Sequence, residues 1–162
     1  MKGEILMKGN EKIIETLNAL LADELTAVSQ YMVHSEMCDN WGYVRLHKAV
    51  EGRAKDEMRH AEILIGRILF LEGKSTVSKI NPMHIGNTVD DQLNHDYESE
   101  AGAVANYNAA IQQAGNLADN GTRDLLTSIL KDEEGHIDWL EAQKDQVAQM
   151  GIQIYLSLQV KE

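Results

Sequence analysis

Apolar residues recur at steps of three and four through most of the 162-residue chain, the period of helices with one buried face. The first run carries Ile13, Leu17, Leu20, Val28 and Tyr31 and stops near Asp39-Asn40-Trp41-Gly42. The second, with Leu46, Val50, Leu64, Ile68 and Leu71, stops at Gly73. The third, with Leu93, Tyr97, Val104, Tyr107, Ile111 and Ala114, stops at Gly115-Asn116. The fourth, with Leu126, Ile129, Leu140 and Val147, ends near Gly151, and the apolar tail from Ile152 to Val160 predicts one more small helix. Gly and Asn at these stops are what helix C-termini prefer.

Short connections make helices one and two, and three and four, antiparallel neighbours. Between the pairs lies Lys74 to Asn87, which holds the only proline, Pro82. Extended, that segment reaches about 45 Å, the length of a helix of about 30 residues. It therefore permits a long crossover. The expectation is an all-α, single-domain chain over residues 1–162: a ferritin-like four-helix bundle with a long crossover and a short fifth helix.

Composition narrows the partners. Fifteen basic residues against 26 acidic ones give a net charge of −11, which repels nucleic acid and anionic lipid. Cys38 stands alone, so neither an intrachain disulfide nor a Cys-rich zinc or iron–sulfur site can form. The first residues lack the apolar stretch of a signal peptide. The most apolar segment, Ile63 to Leu71, carries Arg67 and is too short to span a bilayer. The expectation is a cytoplasmic protein. Met1-Lys2-Gly3 recurs as Met7-Lys8-Gly9, leaving residues 1–6 as an extended or alternative start.

The chemistry lies in an internal repeat with an offset of 76. Ala27-Val28-Ser29-Gln30-Tyr31 matches Ala103-Val104-Ala105-Asn106-Tyr107, and Asp56-Glu57-Met58-Arg59-His60 matches Asp132-Glu133-Glu134-Gly135-His136. Glu24 and Glu100 stand three residues before the two Ala-Val pairs, so each half reads Glu, then 33 residues on, Glu-x-x-His. The midpoints of Glu24–Glu57 and Glu100–Glu133 fall inside the two hairpin breakers, which puts each glutamate level with its partner. His60 and His136 share the helix faces of Glu57 and Glu133. All six groups lie in line with the apolar stripe, so they face inward at one level of the bundle. Four buried carboxylates repel one another unless cations stand between them. Two divalent metals balance four glutamates, and oxygen-rich ligands with one imidazole per metal suit iron or manganese. This doubled Glu plus Glu-x-x-His set is the dinuclear carboxylate constellation.

On these residues the sequence resembles the bacterioferritins from Met7 almost to its end. The resemblance rests on Met7-Lys8-Gly9, Glu24-Leu25-Thr26-Ala27, Asn40-Trp41-Gly42, Asp56 to His60, Arg67 to Gly73, Asp132 to Leu140 and Met150-Gly151. It implies that Glu24 and His60 are terminal ligands of one iron, Glu100 and His136 of the other, with Glu57 and Glu133 bridging. It also implies a homo-oligomeric shell of 24 subunits built from two-fold dimers. In such a shell Fe(II) is oxidised by O2 or H2O2 at the di-iron centre and stored as ferric mineral. Met58 lies about 100° of helix turn from Glu57, off the metal face. By the resemblance its sulfur, with that of a two-fold related copy, ligates a shared haem b that passes electrons for iron release, supplied by a small iron–sulfur ferredoxin. Gly52 departs from the family, some of whose members place a histidine of an inner-surface iron site there; Glu51 and Asp56 are the acids left nearby.

The other candidates are plainer. Tyr31 and Tyr107 point along the metal stripe and are read as hydrogen-bond partners of ligands, electron donors or core aromatics. His34, His47, His84 and His95 lack partners at ligand spacing and are expected at the surface or satisfied locally. Cys38, Trp41 and Trp139 fit core packing. No Gly-rich phosphate loop or nucleophile elbow appears. The competing functions are a non-storing di-iron peroxidase or oxygenase, and a haem electron-transfer protein.

Overall fold

The computed structural model describes residues 7–161; residues 1–6, on which the alternative start falls, lie outside the described residues. It contains α1 (Glu11–Asn40), α2 (Val44–Phe70), α3 (Val89–Asn116), α4 (Asn120–Met150) and α5 (Ile152–Ser157), and no strand among the described residues. No helix among them is long and apolar enough to cross a membrane.

Side-chain contacts give the topology. Asp23 meets Asn106 while Thr16 meets Gln113, so α1 and α3 run antiparallel. Arg67 meets Thr122 while His136 meets Asp56, so α2 and α4 do too. With both hairpins antiparallel, α2 and α3 must be parallel, and the chain between them travels the length of the bundle. The expected crossover is therefore present over residues 71–88.

A polar stripe on α1 holds that crossover. Asn18, Thr26, Gln30 and His34 stand at multiples of four residues, on one helix face. Asn18 Oδ1 accepts from the backbone N–H of Thr76 (2.7 Å), Thr26 Oγ1 from Asn81 (2.9 Å), Gln30 Oε1 from His84 (3.1 Å) and His34 Nε2 from Gly86 (2.9 Å). Irregular backbone packed on a helix needs such partners, because an unpaired buried N–H costs about 1–3 kcal/mol. The fully buried His34 also donates from Nδ1 to Asp96 Oδ1 at 2.8 Å. It is a satisfied histidine, as expected, and so is His47, which meets Ser35.

The helix ends refine the sequence reading. Side-chain oxygens of Asn10, Thr88 and Asp119 cap α1, α3 and α4 by accepting from Lys12, Asp91 and Thr122 backbone N–H groups. After α1, α2 and α3 the residues with left-handed φ are Gly42, Glu72 and Ala118. The next backbone N–H in each case (Tyr43, Gly73, Asp119) returns to the carbonyl five residues earlier, closing a Schellman motif. Glycine supplies the left-handed residue only at the first of these.

Apolar side chains fill both ends of the bundle. One cluster holds Leu17, Leu21, Leu64, Ile68, Leu126 and Ile129. The other holds Cys38, Leu46, Leu93, Leu140 and the fully buried Tyr155 of α5. Tyr155 donates to Gln143 Oε1 at 2.8 Å, which docks the short helix on this end. Trp139 packs against this cluster. Trp41 does not behave as a core residue: it is 38% exposed at the α1–α2 turn, edge-on to Tyr43.

Candidate metal centre

Between the two apolar plugs lies one polar layer, and it gathers all six residues singled out by the repeat. Glu24, Glu57, His60, Glu100 and Glu133 are at most 3% exposed, and His136 is half-buried. Two overlapping sets of ligand atoms form, each lying within 4.8 Å of one another: Glu24, Glu57, His60 and Glu133, then Glu57, Glu100, Glu133 and His136. Glu57 and Glu133 belong to both. The arrangement can thus hold two cations with two carboxylates shared between them.

Both imidazoles turn Nδ1 inward. His60 Nδ1 is 2.8 Å from Glu133 Oε1 and 3.7 Å from Glu24 Oε1; His136 Nδ1 is 2.9 Å from Glu57 Oε1 and 3.3 Å from Glu100 Oε1. Despite this closeness, those two Nδ1 atoms, Glu57 Oε1, Glu133 Oε1 and Glu100 Oε2 are buried without a hydrogen bond of acceptable geometry. Orphaned ligand atoms converging on one volume are the mark of a metal site. Carboxylate oxygens with one imidazole in each set match hard-to-borderline divalent cations.

The titration shifts follow from crowding. Burial, then the neighbouring Glu57, raises Glu24 well above the carboxylate range. Burial likewise pushes Glu133 up to about 10. Burial also works against ionisation of Glu57, but the close approach of Glu24, His136 and His60 outweighs it and holds that carboxyl low. For His136, burial disfavours the imidazolium, yet Glu100 and Glu57 raise it to about 10. His60 is raised by the same balance, with Glu133, Glu24 and Glu57 outweighing burial. Burial and crowding thus favour the protonated forms of Glu24 and Glu133, and the surrounding carboxylates favour the protonated imidazoles, so cations and protons are alternative ways to neutralise the layer.

Groups around the six orient them: two aspartates that the sequence reading does not single out for this role, and the two tyrosines that it names as hydrogen-bond partners of ligands. Asp132 Oδ2 lies 3.0 Å from His60 Nε2, and Asp56 Oδ2 lies 3.3 Å from His136 Nε2. Each carboxylate holds the outer ring nitrogen protonated and aims Nδ1 inward, as carboxylate–histidine–metal triads do. Tyr31 donates to Glu100 Oε1 at 2.7 Å, and Tyr107 donates to Glu24 Oε1. The offset of 76 relates every one of these pairs to its counterpart, so the centre has an internal two-fold symmetry. Arg53 is a further surprise: a buried guanidinium 5.1 Å from the Tyr31 ring and 4.8 Å from the Trp139 ring, with both terminal nitrogens unpartnered. The missed signal was the repeat itself, in which Asp56 and Asp132 correspond.

The remaining candidates lie apart from this layer. Met58 is 43% exposed and off the metal face, as the helix turn required. Gly52 has open space around its Cα, Glu51 pairs with Lys55 at 3.4 Å, and Asp56 is engaged with His136 and Arg59.

The ferritin-like domain model matches residues 14–150. The bacterioferritin of Brucella melitensis is 41% identical over 149 residues, covering 92% of each chain. That of Rhodobacter capsulatus is 40% identical over 137 residues, 85% of each chain. A bacterial ferritin of Synechocystis is 39% identical over 155 residues, 95% of this chain and 99% of its own. With the bundle, the crossover and the doubled Glu plus Glu-x-x-His layer in place, the chain belongs to the bacterioferritins, within the ferritin-like domain family.

Proposed function

We propose that this chain is a cytoplasmic iron-storage protein and a ferroxidase. Its working site is Glu24, Glu57, His60, Glu100, Glu133 and His136, and its product is kept as ferric mineral in a shell of 24 copies. The observation that carries the reading is the overlap of two four-residue ligand sets on Glu57 and Glu133, which supports a pair of iron ions rather than one. Two Fe(II) ions enter as substrates; each gives up one electron, and O2 or H2O2 accepts the two. Glu24 with His60, and Glu100 with His136, bind the ions from opposite sides, and Glu57 and Glu133 bind both. Asp132 and Asp56 keep the imidazole Nδ1 atoms aimed inward, while Tyr107 and Tyr31 hold one oxygen of Glu24 and Glu100. Protons on Glu24, Glu133 and the imidazoles leave as cations arrive. The apolar clusters above and below close the two ends of the layer.

Glu57→Ala is expected to abolish rapid Fe(II) oxidation while leaving assembly intact. Stopped-flow oxidation kinetics identical to those of the unmodified chain would refute the site.

Haem is the second part of the proposal. Among the exposed methionines, the family resemblance points to Met58, whose thioether is a soft ligand that a two-fold copy would duplicate across a shared haem b. Bound there, haem supplies one-electron transfer for reductive iron release, with a small iron–sulfur ferredoxin as donor. Glu134 occupies the equivalent place in the second half of the repeat, so one half alone offers sulfur. Met58→Leu is expected to remove the haem absorption bands and retain ferroxidase activity. Bis-methionine spectra persisting in that variant would sink the assignment.

A further inference from the structure

The cavity beside the metal centre carries a second group of ligand-type side chains at its outer end. It encloses about 290 Å³ and is lined by residues of all four long helices and the crossover, its wall running from the four glutamates of the centre to His84, His95 and Glu98. The spacing of these three along the chain gives no metal motif; the crossover is what brings His84 to α3. Its position there is fixed, because its backbone N–H is held by Gln30.

The two imidazole centroids lie 5.9 Å apart with planes inclined at 56°. With a metal–nitrogen bond of ~2.1 Å, an imidazole centroid stands ~3.2 Å from its ion. Two imidazoles on one ion therefore have centroids ~5.2 Å apart at the tetrahedral angle and at most ~6.4 Å apart. The observed separation falls between these limits. His95 Nδ1 is buried without a hydrogen-bond partner, so one donor atom of the pair has no structural use. Glu98, one turn after His95 and on the same helix face, is exposed on the same cavity wall.

We propose that His84 and His95 form a third metal site. It takes a divalent transition cation at the cavity entrance and hands it on to the dinuclear centre. Imidazole pairs select such cations over Mg(II) and Ca(II). The handing-on rests on the ferroxidase reading; the site itself is decided by binding alone.

The test uses Co(II) titration of the assembled, metal-free protein by calorimetry, comparing the unmodified chain with His84→Gln/His95→Gln and with Glu57→Ala/Glu133→Ala. Adventitious surface binding cancels in the differences. The His variant is expected to lose one equivalent per chain, and to lose it again when the substitutions are combined with Glu57→Ala/Glu133→Ala. No loss in either background overturns the site. Full Co(II) binding by the Glu variant would instead count against the dinuclear reading, leaving the His difference to be judged separately. The initial rate of Fe(II) oxidation at limiting Fe(II) is also expected to fall severalfold in the His variant. An unchanged rate alongside the lost equivalent would overturn the handing-on.

Discussion

Each inward histidine is matched to an aspartate from the facing helix, His60 with Asp132 and His136 with Asp56. Both aspartates stood in view within the repeat, immediately before Glu57 and Glu133, but their partners did not. Which residue of α4 faces which residue of α2 depends on helix register, and spacing along one helix does not encode register. The six ligand candidates were legible because periodicity alone put them on the buried face. Asp132→Asn leaves an amide in place of the acceptor that fixes the His60 tautomer. Co(II) affinity measured by competition is expected to fall by about 10–100-fold. In the unmodified protein the same affinity should rise with pH between 6 and 8. Burial raises Glu24 and Glu133, and the facing carboxylates raise His60 and His136, so protons compete with the metal in that range. Affinity independent of pH would contradict the proton-filled ligand set.

At the scale of elements, the four long helices and their ends were readable because amphipathic runs and breakers coincide. The breaker identities were less so. After α3 the left-handed residue is Ala118, three beyond the Gly115 at which the periodicity stops. A non-glycine residue there costs about 1–2 kcal/mol of strain, partly offset because alanine restricts the unfolded chain by about 0.4–1 kcal/mol. Ala118 is exposed, so Ala118→Gly is expected to raise the midpoint of thermal unfolding by about 2–4 °C for a gain of about 1 kcal/mol. A lowered midpoint would mean that the turn is not strained. The crossover was legible only as a permitted length. Its path along α1 depends on Asn18, Thr26, Gln30 and His34, polar residues whose four-residue spacing resembles an ordinary solvated face until the backbone N–H groups they serve are seen.

For the molecule as a whole, the internal symmetry explains why so much acid can be buried. The repeat builds two half-sites that face each other across the bundle, so every inward carboxylate of one half meets the imidazole or tyrosine of the other. Those four glutamates belong to the interior layer, and they leave most of the 26 acidic residues on other surfaces. In a closed shell, part of that charge would line the inner wall and draw Fe(II) inward. A single bundle has no enclosed volume for a mineral, so storage requires assembly. The exposed apolar side chains Met32, Val33, Leu69, Phe70, Val77 and Ile80 give neighbouring copies something to bury. Size-exclusion chromatography of protein loaded aerobically with Fe(II) decides between storage and turnover without retention. A particle of about 430 kDa, twenty-four times the 18.1 kDa chain, carrying many irons per chain is the expected result. A dimer that retains only two irons per chain would overturn storage and favour a di-iron oxidase that releases its product.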